Sequence, residues 1–117
     1  MRNETRPWGR FEVLYEDEQT WLKRIIIAPG QSLSYQYHNW RTETWVAENA
    51  GVRAVVEGRD FAIRYPSNTP TFVPRRAKHR LYNPCDHESS VLEWCIAVEH
   101  GPLSEDDIVR LADNYGR

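Results

Sequence analysis

The stretch Gln36-Tyr37-His38-Asn39-Trp40-Arg41-Thr42-Glu43-Thr44-Trp45 packs an amide, an imidazole, a guanidinium and a carboxylate into ten consecutive residues. From Ser32 to His38 the chain alternates as a strand does, so Ser34, Gln36 and His38 share one face while Leu33, Tyr35 and Tyr37 share the other. Arg41-Thr42-Glu43 is a polar break short enough for the chain to turn and bring Glu43 back toward His38. Imidazole nitrogen with carboxylate and amide oxygen is the donor set of a hard or borderline divalent metal. Without a metal, Glu43 would instead pair with Arg41.

The elements around this stretch read mostly as strands. Phe11 and Val13 suggest an early strand after the turn-rich Arg6-Pro7-Trp8-Gly9, and Thr20 to Ala28 forms another. The latter ends in Ile25-Ile26-Ile27, a β-branched run that reads as buried on both faces, and Pro29-Gly30 closes it. Val52 to Tyr65 reads as a hairpin bending at Glu57-Gly58-Arg59-Asp60. Short strands follow at Thr71–Val73 and Arg80–Tyr82, with a longer one from Ser90 to Val98. Ser104 as cap, Glu105-Asp106-Asp107 on a first turn and a narrow Ile108/Leu111/Ala112 stripe predict one C-terminal helix ending near Gly116. The expected architecture is all-β, an antiparallel jelly-roll barrel with that short C-terminal helix.

Composition narrows the function. The 117 residues leave room for one domain, taken as 1–117. With 15 basic and 17 acidic side chains the formal net charge is −2, which gives no general electrostatic reason to bind nucleic acid or an anionic membrane. No apolar run reaches membrane-spanning length and the polar start Met1-Arg2-Asn3-Glu4 is not a signal segment, so the expectation is a cytoplasmic protein. Cys85 and Cys95 lack a CxxC spacing and read as ordinary reduced thiols. His87 and His100 read as structural.

Five blocks of the chain, in order, resemble one family: the small cupin domain of type II mannose-6-phosphate isomerases, often the C-terminal part of bifunctional isomerase/mannose-1-phosphate guanylyltransferases. Arg6-Pro7-Trp8-Gly9 matches an opening RPWG, and Lys23-Arg24-Ile25 with Pro29-Gly30 matches a KRI…PG segment. Gln36-x-His38-x-x-Arg41-x-Glu43-x-Trp45 matches a Q-x-H-x-H-R-x-E-H-W signature. Val73-Pro74 with His79-Arg80-Leu81 and Asn83-Pro84 is similar to IP…HRLxNP. Ser104 to Arg110, with Asp113 and Tyr115-Gly116-Arg117, resembles a closing G-E-D-D-I-V-R…D-x-Y-G-R. The glycine-rich nucleotide loop of the guanylyltransferase half has no counterpart here.

The resemblance implies a divalent metal inside the barrel, zinc foremost with manganese, iron or nickel as alternatives, held by His38, Glu43 and His79. Two usual histidines are replaced, by Trp40 and Thr44, and indole cannot coordinate a metal because its nitrogen is only a donor. Gln36, on the face of His38, is the substitute ligand. The implied reaction interconverts mannose 6-phosphate and fructose 6-phosphate, with Glu43 and His79 as catalytic groups. Trp40 reads as a packing residue or a sugar-stacking platform. Arg41, Arg75 and Arg76, with Lys78 nearby, are expected to meet the sugar phosphate. In place of the family's Pro-x-Gly the chain has Pro74-Arg75-Arg76, so that turn is expected to be built differently. Arg80 follows His79 on a strand and should point to the opposite face. The alternative is a non-catalytic sugar-phosphate-binding cupin that has lost its metal through Trp40. A homodimer is expected, with Leu33, Tyr35 and Tyr37 as its surface.

Overall fold

β-Branched and aromatic residues at alternate positions, interrupted by Gly, Pro and acidic turns, produce eleven strands in the computed structural model, which describes residues 2–117. In chain order they are β1 (Arg2–Arg6), β2 (Gly9–Glu16), β3 (Thr20–Ile27), β4 (Tyr35–Tyr37), β5 (Arg41–Ala47) and β6 (Arg53–Val56). The rest are β7 (Arg59–Ala62), β8 (Thr71–Val73), β9 (His79–Tyr82), β10 (Ser89–Ala97) and β11 (Val109–Ala112). They form a six-stranded sheet, β1-β2-β3-β10-β5-β8, facing a five-stranded one, β11-β4-β9-β6-β7. The named pairings are antiparallel. The all-β antiparallel jelly roll expected from the sequence is what forms. Among the described residues no helix is long and apolar enough to cross a membrane.

The alternation that makes β3, β5 and β10 strands also divides the interior into two ends. Toward one end the inward positions are Ile25 and Ile27 of β3, Ala47 of β5 and Val91 of β10, packed with Trp8, Val52, Ala54 and Leu81 in a dry core. Toward the other end the same inward parity delivers polar groups. Lys23 stands opposite Glu93, which stands opposite Trp45, and Trp21 opposite Cys95, which stands opposite Glu43. All six are buried. The register of three strands therefore gathers charge at one end of the sandwich.

Several expectations meet the structure directly. Ile25, Ile26 and Ile27 are all buried. The β6–β7 hairpin pairs Val56 with Arg59, and its two turn residues, Glu57 and Gly58, both have positive φ (49° and 78°), the turn whose twist suits a two-residue hairpin. Leu33, by contrast, packs against the core and is not on the outer surface, because regular strand begins only at Tyr35. Tyr35 lies on the outside and accepts a hydrogen bond from the Gly58 N–H at 3.2 Å.

The C-terminal helix is corrected. Ser104 does cap, its hydroxyl accepting from Asp106 N–H at 3.0 Å, but only a single turn follows, closed by Asp107 N–H to Ser104 O at 3.1 Å. Val109 and Arg110 then pair with Tyr37 and Gln36 as β11. The physical reason is local: the open edge of β4 offers unpaired backbone groups, Ile108 and Val109 are β-branched, and the stripe ends on a Leu111 that is 47% exposed. The turn after Pro74 contains a left-handed residue. Arg76 adopts φ 66°, the left-handed conformation a glycine would take, held by its N–H to His38 O at 2.9 Å and its Nε to Asn39 Oδ1 at 3.2 Å.

Candidate metal site

Each sheet contributes to one constellation at the polar end. The large sheet supplies Glu43 and Arg41 from inward positions of β5. The small sheet supplies Gln36 on β4, paired in register with His79 at the start of β9, and His38 one residue beyond β4. His38, Glu43 and His79 are all nearly inaccessible, and a ligating atom from each lies within 4.8 Å of the others. Glu43 Oε1 is 3.0 Å from His79 Nε2 and Glu43 Oε2 is 3.4 Å from His38 Nε2.

The backbone fixes how the imidazoles face. His38 Nδ1 donates to Asp107 O at 2.6 Å, and His79 Nδ1 donates to Ala77 O at 2.8 Å. With both Nδ1 atoms tied back to backbone carbonyls, both Nε2 atoms are left facing Glu43, the arrangement of metal-ligating histidines. Glu43 Oε1 and His79 Nε2 stand 3.0 Å apart as an ion pair, yet both are buried polar atoms without a hydrogen bond. A divalent cation would satisfy both at once, so the residues present fit a metal. Gln36 Nε2 lies 3.4 Å from His38 Nε2 while its Oε1 takes the Ser34 hydroxyl. Turning the amide over keeps the Ser34 bond, since a hydroxyl accepts as well as donates, and puts the amide oxygen in the ligand position.

Charge is balanced inside the cluster. Burial alone pushes the Glu43 carboxyl up, but the imidazoles of His79 and His38 outweigh it and hold the group well below the usual carboxylate range. Burial opposes a charge on His79, and Glu43 overcomes it, raising the imidazole above its ordinary value. Arg41 sends Nε and one terminal nitrogen to Glu43 Oε2, each at 3.3 Å, and approaches His38 Nε2 at 3.2 Å. Behind Glu43, burial and then the Glu43 charge raise the Glu93 carboxyl. Glu93 accepts from Trp45 Nε1 at 3.2 Å and from the Cys95 thiol at 3.4 Å. Burial keeps that thiol protonated well above its usual range, and neither cysteine is in a disulfide, as the spacing implied.

The other sequence-derived residues surround the site without lining its cleft. Trp40 is 36% exposed, with the Arg75 guanidinium over its ring at 4.9 Å and Gly101 so close that an added Cβ would stand 2.4 Å from Cε3. Arg75 also donates to Asn39 O and pairs with Glu99 at 3.2 Å. Arg75 and Arg76 thus brace the Asn39–Trp40 turn. Arg80 does face away from His79 and lies over Tyr35 at 6.0 Å. The larger hollow, about 850 Å³ beside Ala62 to Thr71, is open and is lined by none of His38, Glu43 and His79.

Three residues of the site were not singled out by sequence reading. Glu93 carried a readable signal, a carboxylate at an inward position between Val91 and Cys95. Asp107 accepts from the N–H groups of Asn39 and Trp40 at 2.9 Å each, joining the turn before β11 to the turn after His38. Glu105 pairs with Lys23 at 2.8 Å. Burial raises the Glu105 carboxyl, but Lys23, Arg41 and Arg6 prevail and lower it. A carboxyl whose folded pKa is lowered adds stability that is complete above the unfolded pKa of about 4.3 and is lost as pH falls through the folded value. Glu105→Gln should therefore cost about 1 kcal/mol at pH 7, a figure discounted for the one-third exposure of the side chain. Urea titrations should show that cost shrinking toward zero below pH 4.

A jelly roll whose two sheets converge on buried histidines and a glutamate is a cupin. The chain belongs to the family described as mannose-6-phosphate isomerase C-terminal, which matches residues 1–113. It is 38% identical over 113 residues to a mannose-1-phosphate guanylyltransferase of Klebsiella pneumoniae, covering 96% of this chain and 23% of that protein. It is 37% identical to the xanthan biosynthesis protein XanB of Xanthomonas campestris pv. campestris, with the same coverage. The chain thus spans about a quarter of the length of these relatives. Among solved structures, the capsular polysaccharide assembling protein CapF of Staphylococcus aureus matches with a TM-score of 0.79 at 12% identity, over 96% of this chain and 34% of that one. The likeness to CapF is one of fold.

Proposed function

We propose that this chain is a metal-dependent aldose–ketose isomerase domain that interconverts mannose 6-phosphate and fructose 6-phosphate. One observation carries the reading: His38 Nε2, His79 Nε2 and Glu43 face one another in a buried cluster, with two of the facing atoms left without hydrogen bonds. His38, Glu43 and His79 would hold the metal, with Gln36 as fourth ligand. When bound, such a cation polarises a carbonyl and stabilises the oxyanion that develops on it.

The chain's own residues supply the rest. Isomerisation takes the proton from C2 of the aldose and delivers one to C1, while the hydroxyl proton at O2 leaves and O1 gains one. Glu43 has two oxygens, so one can occupy the ligand position while the other receives the C2 proton. His79 Nε2, 3.0 Å from Glu43 Oε1, would hold the metal beside the carboxylate, so the proton taken from C2 stays on Glu43 until it is returned at C1. Arg41 keeps the carboxylate charged and oriented through its two contacts to Oε2. The indole of Trp45 walls the His79 ring edge-on at 5.7 Å and limits water.

Elemental analysis of the purified chain, together with conversion of mannose 6-phosphate to fructose 6-phosphate, tests the reading. The expected result is about one divalent metal per chain and a turnover that disappears on chelation and returns with metal. A second reading is favoured by Arg41, whose guanidinium already bridges His38 Nε2 and Glu43 Oε2 as a built-in cation. It makes the chain a metal-free module that binds the sugar phosphate without turning it over. Metal-free protein that binds mannose 6-phosphate and produces no ketose would establish that reading and overturn the first.

A further inference from the structure

The cleft that opens onto Glu43 is occupied by the chain itself. Its volume is about 90 Å³, well under the roughly 300–1,000 Å³ of pockets that hold small molecules. The Ser104–Asp107 turn carries Glu105 into the mouth of this cleft. There its carboxylate meets Lys23 Nζ at 2.8 Å and Arg6 at 3.8 Å, while Arg41, which donates to Ser104 O at 3.3 Å, lies behind.

Two of the cations, Lys23 and Arg41, are built in and the anion is not. The Lys23 side chain is only 4% exposed, and its ammonium lies over the rings of Phe11 at 4.6 Å and Trp21 at 4.4 Å. Arg41 is likewise buried. Glu105 instead sits on a turn with its side chain 34% exposed, so a rotation about its own bonds takes it into solvent. That rotation leaves Asp107 on Asn39, Trp40 and His38. Taking the anion from a buried lysine is unfavourable, so Glu105 stays on Lys23 for most of the time until another anion takes its place. A phosphate monoester offers three acceptor oxygens and nearly two charges to Lys23, Arg6 and Arg41, of which Arg6 also pairs with Glu4 at 2.9 Å and Arg41 with Glu43 at 3.3 Å.

We propose that Arg6, Lys23 and Arg41 form the seat for the phosphate of a sugar phosphate, and that Glu105 fills this seat in the free protein and is displaced by the ligand. The identity of the sugar rests on the isomerase reading; the anion seat does not. Glu105 then acts as an internal competitor that keeps the cleft closed to neutral sugars and to water until a phosphate arrives.

Calorimetric titration of the full chain with inorganic phosphate, mannose 6-phosphate and mannose tests this. Glu105→Gln should bind inorganic phosphate and mannose 6-phosphate about ten-fold more tightly than the unchanged chain, a gain of about 1.4 kcal/mol, with mannose unaltered. Asp106→Asn makes the same change in net charge at an exposed neighbour and should change nothing. Arg6→Gln in the Glu105→Gln background should reverse most of the gain, and Arg6 lies on the edge strand β1, where substitution spares the core. Phosphate affinity that is unchanged or weaker in Glu105→Gln, or that rises equally in Asp106→Asn, overturns the proposal. Tighter inorganic phosphate in a chain without isomerase turnover keeps the seat and removes the isomerase reading. Turnover with no gain in phosphate affinity does the reverse.

Discussion

Glu43→Gln is expected to emerge from purification without a divalent metal, and to bind added zinc or manganese more than 100-fold more weakly than the unchanged chain. Glutamine keeps the length and shape of the side chain and removes only the charge, which isolates the electrostatic part of the site. The estimate follows from the 10–100-fold lost when merely a supporting residue of a metal ligand is changed, which a direct ligand should exceed. His79→Ala should give the same loss through a different donor, because its Nε2 is one of the two buried atoms left without a hydrogen bond. Gln36→Ala should lose less, about ten-fold, since its amide must turn over to reach the ligand position. Circular dichroism is needed alongside, because Glu43→Gln leaves Arg41 buried beside an uncharged amide. A folded Glu43→Gln that retains its full metal complement would end the metal-site reading.

Much of that site is legible in the sequence, and the reason is parity. Gln36 and His38 are two apart on a chain that alternates, so they had to share a direction, and 3.4 Å now separates their nitrogens. Trp45 and Glu43 share a face of β5 by the same rule. His79 is different: nothing in its own neighbourhood announces where β9 will pair, and the family resemblance supplied it. Lys23 and Glu93 were legible by parity too, as charged residues at inward positions of apolar strands.

The residues that could not be read are those whose structure depends on a partner strand. Ser104-Glu105-Asp106-Asp107 carries a genuine helix-start pattern, and the turn it makes is the one such a helix would begin with. Whether a helix continues is decided elsewhere, by the free edge of β4 that accepts Val109 and Arg110. β1 escaped notice for a related reason. Arg2–Arg6 is polar throughout, and an edge strand on which charge discourages pairing with other chains shows no hydrophobic pattern to find. At Arg76 only a missing glycine was legible, and it is hydrogen bonds to His38 and Asn39 that hold an arginine in the left-handed conformation.

The stability of the barrel and the shape of its site meet in Trp45. Trp45→Ala is expected to destabilise the chain by about 3–5 kcal/mol, the range for emptying a large aromatic from a core that cannot fully collapse. For a chain of this size that lowers the melting temperature by roughly 10–20 °C. The side chain is 1% exposed, joins the dry cluster of Ile25, Val73 and Val91, and gives its Nε1–H to the buried Glu93. Removing it also unpacks the edge of the His79 ring, so metal affinity should fall by about 10–100-fold even though no ligand has been touched. Trp45→Phe separates the two roles. Phenylalanine keeps an aromatic wall beside His79 but cannot donate to Glu93, so stability should drop by about 1–3 kcal/mol while metal stays bound. Should Trp45→Ala melt within a few degrees of the unchanged chain, the inward face of β5 is not what holds the two sheets together. Metal loss in Trp45→Phe equal to that in Trp45→Ala would instead show that the indole N–H, through Glu93, sets the charge of the site.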